Sequence, residues 1–178
     1  MSQAAEADKS ANAIDATVMY SIDPGVKPVN ETFGAGNMGR RAMGGKREGQ
    51  TVTMADGRAI RAEFALDVQG FEFVDHDTKM VDFFDEDELR QVYYPEVEAL
   101  IKKVSGAHRV HIFDHTLRSG DQAEREERLV REPVLSVHND YTEWSGPQRV
   151  RDLLPDEADE LLKGRFAVIQ VWRAINQP

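Results

Sequence analysis

His138 and Asp140 bracket the triplet His138-Asn139-Asp140, and their types and spacing point most directly to chemistry in this sequence. The triplet follows a short apolar run, residues 134–137 (Val-Leu-Ser-Val), which reads as a strand. In a strand, residues two apart share a face. One imidazole nitrogen and one carboxylate oxygen can then aim at a single point. Such a pair supplies two ligands of the 2-His-1-carboxylate set that holds non-haem Fe(II) with positions open for oxygen and substrate. The same triplet also fits a solvated turn, so spacing alone leaves both readings open.

Other candidate groups read more simply. Asp75-His76-Asp77 sits in a turn among charged residues and reads as a surface cluster. His111 and His115 lie in and just after a buried-strand candidate, 109–113, where a histidine is more simply a hydrogen-bonded core residue. The run Gly34-Ala35-Gly36-Asn37-Met38-Gly39 matches the dinucleotide fingerprint letter for letter. That fingerprint needs a strand before it and a helix after it, so that a pyrophosphate rests on a helix N-terminus. Residues 27–31 make a poor strand, and 40–49 carry Gly44, Gly45 and Gly49, which a helix resists. The expectation is a flexible glycine loop that binds no dinucleotide.

The elements that must position these groups follow from periodicity. Residues 1–16 are small and polar, with a first strand at 17–22 stopped by Asp23-Pro24-Gly25. Strand signals continue at 51–54, before a hairpin-type turn at 55–57, and at 63–66, 70–74, 109–113 and 166–172. The helical signal is strongest at 85–104. There Leu89, Val92, Tyr93, Val97, Leu100, Ile101 and Val104 recur three or four apart. Pro95 divides it, belonging in the first turn of a second segment, and Gly106 ends it. The charged stretch 119–132 reads as a mobile connection. Shorter helices are expected at 147–154 and after Pro155-Asp156-Glu157. The class is α+β, mainly β. A flexible region spans 1–49 and one domain spans 50–178, with a helical insert at 85–105.

Bulk properties narrow the function classes. A chain of 178 residues supports one domain with a real core. A formal charge of −10 argues against a nucleic-acid surface, which needs clustered Lys and Arg. With no cysteine there is neither a disulfide framework nor a thiolate metal site. No run reaches the length of a membrane span and the N-terminus lacks signal-peptide order, so a cytoplasmic location is expected.

Six phrases occur in order from about Thr51 onward: Leu66-Asp67-x-x-Gly70-Phe71-Glu72, Val92-Tyr93-Tyr94-Pro95-Glu96-Val97, Phe113-Asp114-His115-Thr116-x-Arg118, Val137-His138-x-Asp140, Leu161-Leu162-Lys163-Gly164-Arg165 and Val171-Trp172-Arg173. Together they resemble the CmcJ/AsaB-type (CmcJ/NvfI) oxidoreductases. The resemblance implies a double-stranded β-helix (jelly roll, cupin-like) with flanking helices, using Fe(II), O2 and 2-oxoglutarate to hydroxylate or desaturate a small-molecule substrate. By that resemblance His138 and Asp140 are the first two iron ligands. Family members continue well past this length, through a distal histidine in a phrase like Pro-His-Thr and a later arginine for the 2-oxoglutarate carboxylate. After Asp140 this sequence contains no histidine, and Arg173 is followed by Ala-Ile-Asn where the family usually has proline. The expectation is an incomplete jelly roll, inactive by itself, with His76, His108, His111 and His115 as the only other histidines. The alternative is a non-catalytic β-rich binding or interaction domain built on the same scaffold.

Overall fold

The structure is a computed structural model and describes residues 13–23, 25, 29–33, 40–43 and 45–175. Its strands are β1 (Ile14–Ile22), β2 (Asn30–Phe33), β3 (Arg40–Met43) and β4 (Lys46–Met54). Its helices are α1 (Leu66–Gln69), α2 (Glu86–Glu88), α3 (Tyr94–Ser105), α4 (Gln122–Arg128), α5 (Ser145–Leu153) and α6 (Ala158–Leu161). The chain divides into two units, Met1–Asp56 with Asp114–Asp140, and Gly57–Phe113 with Tyr141–Pro178.

In the first unit, β1 pairs antiparallel with β4 from Ile14 opposite Met54 to Ile22 opposite Lys46. β2 pairs antiparallel with β3, from Asn30 opposite Met43 to Phe33 opposite Arg40. Across the first ladder the Thr53 hydroxyl donates to Asp15 Oδ1 at 2.7 Å. Gly49 belongs to this ladder and not to a loop. A Cβ there would stand 2.8 Å from Thr17 Cγ2, so the close approach of the strands requires glycine. β4 runs through positions 49 and 50 without a break. The fingerprint at 34–39 lies outside the described residues.

The stretch 119–132, expected to be a mobile connection, is folded. Asp121 caps α4 by accepting from Glu124 N at 2.8 Å. Ser119 is buried, its hydroxyl bonded to Glu124 Oε2 at 2.5 Å. A short parallel bridge joins Arg118 to Arg131. The signal was present as Asp121-x-x-Glu124, which has the spacing of a capping box. The high charge of the segment masked it.

In the second unit the 85–105 region matches its sequence signals. The Asp85 carboxylate accepts from Asp87 N and Glu88 N, opening α2. One π turn, Leu89–Tyr93, leads into α3, whose first turn holds Pro95. Gly106 closes α3 in the left-handed region, φ 70°, its N–H bonded to the Lys102 carbonyl. Leu89, Val97 and Ile101 are buried, as is Ala158 of α6.

Several expected strands do not form. Segments 63–66, 70–74, 109–113 and 166–172 carry no ladder among the described residues, and 134–137 has one bridge, Ser136 to Met19. The chain beyond the expected hairpin turn at 55–57 enters a short 3-10 turn, Arg61–Glu63. At 63–66 the reason is local. Gln69 Oε1 accepts from Ala65 N and Glu72 Oε2 from Leu66 N, so side chains satisfy the amides that a strand partner would otherwise take. The architecture is therefore a mixture of helices and strands. Among the described residues the strands make two two-stranded sheets. No helix among them is long and apolar enough to cross a membrane.

Candidate metal centre

Strand β1 seats the triplet. Met19 faces Gly49 of β4 in the ladder, while its carbonyl accepts the Val137 N–H at 2.8 Å. That bond fixes the backbone just before His138. The His138 ring then turns back on its own chain, with Nδ1 2.8 Å from the Ser136 carbonyl. A carbonyl only accepts, so Nδ1 carries the proton and Nε2 is the nitrogen left to bind. Nε2 lies 3.3 Å from Asp140 Oδ1, and both side chains are about half exposed. Ring and carboxylate thus meet on one side of the chain, although 134–137 is not a ladder strand.

The separation suits two donors on one small cation. Ligand nitrogen and oxygen atoms about 2.0–2.2 Å from such a metal stand about 3 Å apart when they occupy adjacent positions. The donor set, one neutral imidazole and one carboxylate, is that of the Fe(II) facial arrangement less one histidine. Without a metal, the same contact is an ion pair whenever Nε2 is also protonated.

The other histidines differ in their settings. His108 and His111 are exposed, and His115 is half-buried. His76 is engaged by Arg173, whose Nη2 is 2.7 Å from both His76 Nδ1 and the His76 carbonyl. Among the described residues no group of three or more His, Asp or Glu side chains converges as a metal site.

Several residues of the ordered phrases serve as scaffold. Arg165 Nη2 donates to Asp67 Oδ1 at 2.7 Å, tying the fifth phrase to the first. Glu96 Oε2 accepts from the Thr78 hydroxyl at 2.5 Å and Oε1 from Lys79 N at 2.9 Å. The Thr78 hydroxyl holds the Glu96 carboxyl below its ordinary range, with the Lys79 amide and the Lys79 ammonium acting in the same direction. Glu88 grips Val81 N and Asp82 N at 2.8 and 2.9 Å. Arg109 and Glu157 form a two-point pair that lowers the Glu157 carboxyl and raises the guanidinium. Sequence reading missed the two backbone carbonyls, of Met19 and Ser136, that aim His138. No residue type marks a carbonyl, so no signal for them existed.

A family model described as an oxidoreductase/YMDC permease-like domain matches residues 18–178. The chain belongs to this oxidoreductase family. That agrees with the CmcJ/NvfI type to which the six phrases point. An oxidoreductase of Emericella nidulans, AN1597, is 34% identical over 132 residues, covering 71% of this chain and 45% of its own. The hydroxylase/desaturase CTB9 of Cercospora beticola is 33% identical over 175 residues, covering 92% of this chain and 53% of its own. The solved structure of NvfI, an iron and alpha-ketoglutarate-dependent endoperoxidase, superposes with a TM-score of 0.64 at 20% identity. That likeness is one of fold and covers 86% of this chain and 56% of NvfI. The chain spans about half the length of the curated relatives it matches.

Proposed function

We propose that this chain carries the His-x-Asp half of the iron site of an Fe(II)- and 2-oxoglutarate-dependent oxygenase that hydroxylates or desaturates a small molecule, and that its strands are part of a jelly roll. The observation that carries the reading is the His138 Nε2 to Asp140 Oδ1 approach of 3.3 Å with Nδ1 tied to the Ser136 carbonyl. In this reading His138 and Asp140 would hold Fe(II), the one through Nε2 and the other through its carboxylate. The Ser136 carbonyl keeps the Nδ1 proton in place and so directs Nε2 outward. The Met19–Val137 bond keeps the triplet on β1. Iron, 2-oxoglutarate and O2, when bound, supply the oxidising power for C–H cleavage. By the family resemblance, a distal histidine and an arginine for the 2-oxoglutarate carboxylate complete such a site. The relatives named for hydroxylase, desaturase and 2-oxoglutarate-dependent activity support the reaction class.

The test is metal binding followed by turnover. Mn(II) titration of the 178-residue chain should give weak binding, lowered about tenfold or more by His138→Ala or Asp140→Ala. In a form extended with a family segment bearing the distal histidine, succinate release under air with Fe(II) and ascorbate should appear and vanish in the same two variants. Unchanged metal binding in both variants would sink the reading.

A further inference from the structure

We propose that Arg173 locks His76 as the neutral tautomer protonated on Nε2, which makes this imidazole a fixed hydrogen-bond donor and removes it from the candidates for a third metal ligand. Arg173 Nη2 lies 2.7 Å from His76 Nδ1. A guanidinium has donors and no acceptor, so Nδ1 must supply the lone pair and the ring proton must sit on Nε2. A second proton, on Nδ1, would point at a cation.

Further contacts hold the arrangement in place. The same Nη2 bonds the His76 carbonyl at 2.7 Å, so ring and backbone are fixed together. The guanidinium carbon lies 5.8 Å from the centre of the Tyr93 ring, a cation–π seat supplied by the π turn before α3. On either side of His76, Asp75 is paired with Arg61 at 2.9 Å and Thr78 and Lys79 are held by Glu96. Turning the ring to free Nδ1 would break the Arg173 contact without a substitute. Among the described residues His76 Nε2 has no protein acceptor, so its N–H is available to a carbonyl or carboxylate oxygen of a ligand. That is the opposite of what a metal needs, which is a bare lone pair.

The metal half of this inference rests on the His138–Asp140 reading, whereas the tautomer does not. Long-range 1H–15N correlation on the histidine-labelled 178-residue chain should show His76 with a bare Nδ1 and a protonated Nε2 at neutral pH. Arg173→Ala should turn this into a tautomer mixture. A protonated Nδ1 in the unsubstituted chain would overturn the proposal and needs no variant to fold. In parallel, Mn(II) titration followed by the electron spin resonance of the free ion should be unchanged within about twofold in His76→Ala and about tenfold weaker in His138→Ala. Equal losses in the two variants would make His76 a ligand and overturn the exclusion. Binding unchanged in His138→Ala would remove the metal reading while the tautomer result stood.

Discussion

Glu96 shows how much one side chain can organise. Its two carboxylate oxygens fasten Thr78 and Lys79 to α3, and those bonds need the ionised form. The folded carboxyl is held below its ordinary 4.5, so the unfolded chain binds the proton more readily. Its contribution to stability is then fully present above about 4.5 and is lost as pH falls through the lower folded value. Glu96→Gln should reduce stability at neutral pH and flatten the pH dependence below the ordinary carboxylate range. Urea midpoints across that range check it, and parallel profiles for the two proteins would contradict it.

Elements here differ in how much of their stability is local. The α2–α3 region has its own cap, stripe and stop, and Asp85→Ala should cost about 1 kcal/mol by orphaning the amides of Asp87 and Glu88. Thermal unfolding with and without the substitution measures this. The β1–β4 ribbon depends instead on the two strands coming together at Gly49. Gly49→Val must push Thr17 aside, disturbing the ladder at Met19, which also holds Val137. We expect this variant to lose amide exchange protection in β1 and at Val137, while α3 keeps its own. Loss in α3 alone, with β1 intact, would be the opposite of this account.

On the molecular scale, the C-terminal apolar run is open to solvent. Trp172 is 76% exposed, and Phe166, Val168 and Val171 are each near 40%. Exposed apolar surface of this kind promotes association. The formal charge of −10 opposes it through repulsion that salt screens. Sedimentation should therefore show self-association that grows with ionic strength and falls in Trp172→Lys. A monomer at all salt concentrations would exclude it.

The readable parts of this sequence were those whose physics closes within a few residues. The stripe through Leu89, Val97 and Ile101, Pro95 in a first turn and Gly106 as a helix stop all lie close to the bonds they control. The His138-x-Asp140 pair was legible for the same reason, since two residues of spacing bring its side chains together. Segments 63–66 and 166–172 have strand-like composition, but a ladder needs a partner that composition does not name. Tertiary structure decided which segments found one. It left 134–137 with a single bridge to Met19, placed the Arg165–Asp67 pair across 98 residues and set Arg173 on His76 across 97. Those contacts depend on where distant backbones come to rest, so only the folded chain determines them.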